Sequence, residues 1–187
     1  QRQMCIRDSL IIEHLFDILA MLNPTSSSGC TWRGDGKMPY LSRAGIEQIA
    51  SRVVNAYWRL GSQDSVTGGR ICPEILAQKL LGLKVEYRTL TRNGSILGMT
   101  AFEQVGVRVY ENNVPRYYFL DGHTILIESS LAGKDANPGR RNFTLMHETC
   151  HQIFRMLFPT EYMPPTQYRK VCCCTSAMYG PVSYTHL

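Results

Sequence analysis

Asn142-Phe143-Thr144-Leu145-Met146-His147-Glu148-Thr149-Cys150-His151-Gln152-Ile153-Phe154 is the stretch on which the reading of this chain turns. It contains His-Glu-x-x-His, and Phe143, Met146, Cys150, Ile153, Phe154 and Leu157 recur at helical spacing, which predicts an amphipathic helix with those residues as its core stripe. Four residues along a helix turn about 40° and rise about 6 Å, so His147 and His151 project from one face. Both imidazoles can then reach a single metal ion. Zinc takes imidazole nitrogen at about 2.0–2.1 Å in a tetrahedral shell, and a catalytic site leaves one position for water. Glu148 lies about 100° further round, within reach of that water as a general base. The competing, plainer reading is a core helix with polar residues at its border. Against it, the apolar stripe is complete without the histidines, and Asn137-Pro138 supplies a cap and first turn.

Length and composition set the frame. A chain of 187 residues, 44% apolar and 19% charged, is sufficient for one cored domain. A formal net charge of +5 is modest, and no basic run or basic-aromatic cluster argues for a nucleic-acid partner. The seven cysteines form no paired framework. Cys172-Cys173-Cys174 are consecutive, which suits neither a disulfide scaffold nor Cys-x-x-Cys metal spacing, so a reducing, cytoplasmic compartment is expected. Leu10–Leu22 is apolar but interrupted by Glu13, His14 and Asp17, and too short to span a bilayer; Arg2, Arg7 and the Thr25–Gly29 run imitate a signal peptide only weakly.

Both ends read as translated sequencing-adapter sequence, with Met38 as the expected first native start. The expected organisation is an upstream or artefactual segment over residues 1–37, a catalytic domain over 38–180 truncated at its C-terminal end, and an artefactual tail over 181–187.

Between those ends, Ser42 caps a helix in which Ile46, Ile49, Ala50, Val53, Val54 and Tyr57 form the apolar face, ending near Leu60-Gly61. Pro73 opens a shorter helix through Leu81, stopped by Gly82. Leu83–Arg88 alternates as a half-buried strand, and Asn93-Gly94 turns into a second strand around Ser95–Phe102. Val107–Tyr110, an Asn112-Asn113 turn and Tyr117–Leu120 follow. Asp121-Gly122 signals a hairpin into Thr124–Glu128, and Leu131–Gly139 is a loop before the motif helix. The expected fold class is α+β: N-terminal helices, a small, mostly antiparallel sheet, then the active-site helix.

Arg141 through His151, preceded by the strand Thr124–Glu128, resembles the ImmA/IrrE-type metallopeptidases, and the likeness runs over roughly Met38 to Pro165. The resemblance implies a zincin-like core, cleavage of intracellular regulatory proteins such as DNA-binding repressors in a bacterial or phage cytoplasm, and Zn2+ as cofactor. It makes His147 and His151 zinc ligands and Glu148 the catalytic base. It also makes Thr124, Ile125, Leu126, Ile127 and Glu128 the strand edge on which substrate lies extended, by strand addition. The family's third ligand, an acid in a stretch resembling Glu-x-x-Ala-Asn, has no counterpart here. Downstream of His151 stand only Glu161, after Pro159, and His186 in the tail, so the expected third ligand lies beyond this chain. The extended metzincin signature is absent too, with Phe154 and Leu157 at its Gly and His positions.

Other residues read more plainly. His123 is a solvated turn histidine, Arg140 and Arg141 point into water at a helix start, and Cys150 fills core. Nothing in their spacing gives Tyr162 or Tyr168 an oxyanion role, and Glu128 is by default a surface rim. Three functions compete: a zinc endopeptidase with a protein substrate and neither direct nucleic-acid nor membrane partner; a non-catalytic pseudoprotease holding a regulator; and a DNA-binding regulator, for which residues 10–37 offer no pair of helices.

Overall fold

The computed structural model describes residues 42–60, 70–133, 136–159 and 171–175. The proposed segments 1–37 and 181–187, together with Glu161, Tyr162, Tyr168 and His186, lie outside them. The chain divides into two compact units, one taking Gln1–Gly82 and Phe154–Tyr168, the other Leu83–Ile153 and Arg169–Leu187.

In the first unit, α1 spans Arg43–Leu60 and begins where expected. The Ser42 hydroxyl accepts a hydrogen bond from the Gly45 amide at 3.1 Å, satisfying one of the orphan donors of the first turn. Val53, Ala56 and Tyr57 are the buried side of its apolar face, while Ile46 is exposed. α2 starts at Pro73–Ile75, where proline needs no amide partner, and continues as a π turn over Leu76–Leu80. That turn closes with the Leu81 amide donating to the Leu76 carbonyl, and Gly82, at φ 64°, ends it in the left-handed region. The Cys72 amide donates to the buried Tyr57 hydroxyl at 3.0 Å, tying the start of α2 to α1.

The second unit holds the strands: β1 Lys84–Arg88, β2 Ile96–Ala101, β3 Val105–Glu111, β4 Val114–Leu120, β5 Thr124–Glu128 and β6 Val171–Thr175. They make two sheets. One is four-stranded in the order β1-β5-β2-β6, and the other is the β3-β4 hairpin. β1 and β5 run parallel; every other pair is antiparallel. The α+β class is therefore observed, with small, mostly antiparallel sheets.

Turn chemistry accounts for one hairpin and misleads about another. Asn112 and Asn113 sit at φ 49° and 64°, the double left-handed turn that a tight hairpin demands, and β3 pairs with β4 along its whole length. Asp121-Gly122 was expected to do the same for β4 and β5. It does not: β5 lies between β1 and β2, and the chain passes from one sheet to the other at that bend, where His123 takes φ 65°. The His123 amide donates to the Ala101 carbonyl and its carbonyl accepts from Lys84, so the bend is anchored to β1 and β2.

Leu90, Met99, Ala101, Val107, Val109, Leu120 and Leu126 form a core cluster in this unit, with Ile96, Val105 and Tyr118 packed against it. Removing a side chain such as Leu126 from water is worth about 1.5–3 kcal/mol. Glu128, expected at a surface rim, is buried. Its Oε2 accepts from the Leu90 amide at 2.8 Å and its Oε1 from the Ser129 hydroxyl at 3.0 Å, so the carboxylate fastens the loop after β1 to the end of β5.

Candidate metal and catalytic site

α3, Pro138–Leu157, carries the motif. Its start is as the sequence proposes: Asn137 Oδ1 accepts from the amides of Gly139 at 2.9 Å and Arg140 at 3.2 Å, and Pro138 follows the cap. Arg140 is exposed and Arg141 partly so.

The buried face of α3 is only partly the predicted one: Ile153 and Leu157 are buried as expected. Phe143 is 55% exposed and stacks along the His147 ring at 6.3 Å between centroids; Met146, Cys150 and Phe154 are only half-buried. In their place Thr144, Glu148, Thr149 and Gln152 are buried, alongside Leu145 and Ile153. The helix can bury these polar groups because most find partners close at hand. The Thr144 hydroxyl donates to the Arg140 carbonyl at 2.9 Å, and the Thr149 hydroxyl to the Leu145 carbonyl at 2.7 Å. Gln152 Nε2 donates to Thr100 Oγ1 at 3.0 Å and to the Ala101 carbonyl at 2.8 Å, which fixes the register of α3 against β2.

The two histidines meet as the spacing requires. His147 Nε2 and His151 Nε2 are 3.2 Å apart, and their rings stand edge to face at 83°. Two nitrogens held at about 2.0–2.1 Å in a tetrahedral zinc shell lie about 3.3–3.4 Å from each other. The observed separation is close to that value, and it is also a hydrogen-bond distance between the two rings. Electrostatics favour the metal-ligand role. Burial holds the His147 pKa below the ordinary imidazole value, while burial and then charge repulsion from His147 push His151 down to about 4. Both rings are neutral near pH 7, the form that donates a lone pair to a metal.

Glu148 is fully buried, with its side chain against β2. Sequence reasoning had not singled out Gly98 on that strand. A Cβ at Gly98 would stand 2.8 Å from Glu148 Cγ and 2.9 Å from Glu148 Oε1. An interior strand glycine signals close approach by another element, and that was the cue available. Cys150 is half-buried, and burial raises its thiol pKa, favouring the protonated form.

Two expectations meet the structure differently. His147 and His151 meet through their Nε2 atoms one turn apart on α3, and Glu148, beside His147 in sequence, is buried against β2. Thr124–Glu128, in contrast, is no sheet edge. β5 is hydrogen-bonded to β1 on one side and β2 on the other, and all five residues are buried, so its main chain has no free side on which a peptide could add a strand. Among the described residues no cluster of three or more His, Cys, Asp or Glu could hold a metal ion, so the two imidazoles stand without a third protein donor there. No described helix is long and apolar enough to cross a membrane. Compared with protein-family models, curated proteins and solved structures, the chain matches none.

Proposed function

We propose that this chain is a zinc-dependent endopeptidase, acting in the cytoplasm on an intracellular regulatory protein such as a DNA-binding repressor. The observation that carries the chemistry is the 3.2 Å separation of His147 Nε2 and His151 Nε2, with a buried carboxylate at Glu148 on the same turn. The substrate class rests on the resemblance of residues 141–151 to ImmA/IrrE-type peptidases. His147 and His151 would hold the ion; when bound, zinc supplies Lewis acidity, polarising a carbonyl and acidifying water. Glu148 takes the proton of the attacking water and returns it to the leaving amide nitrogen. Its burial against β2 shields the carboxylate from bulk water.

Glu148→Gln preserves the shape of the side chain and removes the base. Cleavage should fall by roughly 10²- to 10⁴-fold while bound zinc, measured by metal analysis, stays at the parent level. Equal turnover by Glu148→Gln and the parent would end the assignment. A second reading, a pseudoprotease that grips a regulator without cutting it, is favoured by the absence of a third donor among the described residues. Cleavage of a repressor by the parent chain would dispose of it.

A further inference from the structure

We propose that Gly98 is the positioning residue for Glu148: its missing side chain is the space in which the catalytic carboxylate is held. The inference rests on the peptidase reading for its functional half and on packing alone for its structural half.

Glycine in a strand interior has several ordinary explanations besides a bulge such as the register shift beside Gly98, among them an unusual backbone angle and a need for room. The unusual angle does not apply, because Gly98 is not among the residues with positive φ. The need for room does. A Cβ there would meet Glu148 Cγ and Thr144 Cγ2 at 2.8 Å each, and Glu148 Oε1 at 2.9 Å, all closer than real Cβ contacts allow. The strand is poorly placed to retreat. Gly98 pairs with Ile127 of β5 on one side and, just past a register shift between Ile96 and Gly98, with Cys174 of β6 on the other; two residues along, Thr100 is bonded to Gln152. The helix is equally constrained, because Gln152 also binds the Ala101 carbonyl. What remains free to move is the Glu148 side chain. Cγ is near its root, so rotation at the far end cannot relieve the clash; the whole carboxylate has to swing to another rotamer. A misplacement of about 1 Å at a catalytic group costs on the order of 10²-fold in rate.

Gly98→Ala therefore separates binding from chemistry. Zinc content should match the parent, because the methyl meets neither imidazole in the contacts above, while kcat falls roughly 10- to 100-fold with KM changed less than about 2-fold. A variant that merely loosened the fold would lose metal and turnover together. A stability cycle read by urea midpoint makes the structural half independent of activity. Gly98→Ala should lower the midpoint in the parent, and that loss should shrink in a Glu148→Ala background, where only the Thr144 contact remains to meet the methyl. Two results overturn the proposal: Gly98→Ala turning over like the parent, or a midpoint loss relieved by Thr144→Ser and untouched by Glu148→Ala, which would make Gly98 a packing partner of Thr144. If the parent cleaves nothing, the peptidase reading fails and the cycle alone decides whether Gly98 holds Glu148.

Discussion

β4 carries Tyr117, Tyr118 and Phe119, while β2 carries Gly98 and Thr100, yet β2 is buried along all but its first residue and β4 is exposed along most of its length. Tyr117 is 79% and Phe119 77% exposed, and their cross-strand partners Arg108 and Gly106 leave that face of the hairpin open. Apolar content alone barely separates these strands, with Ile96, Leu97, Met99 and Ala101 in β2 and Val114, Tyr117, Tyr118, Phe119 and Leu120 in β4. What decides burial is position. β2 has neighbours on both edges and α3 against it, and small residues are the condition for the helix to come so close. β4 has one neighbour, β3, and only its inner side meets the core.

That contrast can be broken by substitution, and the effects should fall in a definite order. Met99→Ala, in the core cluster on β2, should cost about 2–5 kcal/mol by urea denaturation, through lost burial and the cavity left behind. Gln152→Met keeps the length of the side chain and deletes its two hydrogen bonds to β2; with Gln152 Oε1 itself buried without a hydrogen bond, the expected loss is about 0.5–1.5 kcal/mol. Tyr117→Ser, on the open face of β4, should stay within about 0.5 kcal/mol of the parent. Should Tyr117→Ser shift the midpoint as far as Met99→Ala, the two strands would be equal contributors and the contrast would be lost.

The same contrast explains what could be read from the residues in advance. Local signals held: Ser42 and Asn137 cap their helices, Pro73 opens one, Gly82 ends it, and Asn112-Asn113 makes a hairpin. These depend on a few neighbouring residues and on backbone geometry. The placing of His147 and His151 held for the same reason, since a separation of four on a helix fixes their distance before any tertiary contact forms. Partnership between distant elements was not legible. Asp121-Gly122 bends the chain as its composition demands, but the bend cannot specify that β5 will lie between β1 and β2. From that error followed the second, the reading of Thr124–Glu128 as a free edge. The stripe of α3 was partly misjudged because Thr144, Thr149 and Gln152 look polar in sequence and become buriable only once carbonyls and β2 supply their hydrogen bonds. Gly98 offers only the cue of a glycine inside a strand, which does not say what comes close to it.

The short contact between the imidazoles has a consequence for proton bookkeeping. Two neutral rings meeting through Nε2 at 3.2 Å are held together only if one carries its hydrogen there and the other carries its own on Nδ1. The pair is then asymmetric, a donor facing an acceptor. On the metal-site reading proposed above, an ion would need both Nε2 atoms bare, so binding it would convert one ring to the other tautomer. The hydrogen moves across a ring and none need be given up to solvent. Capture of the ion near neutral pH should then depend little on proton concentration, in contrast to a site built from thiols, which must shed protons to bind.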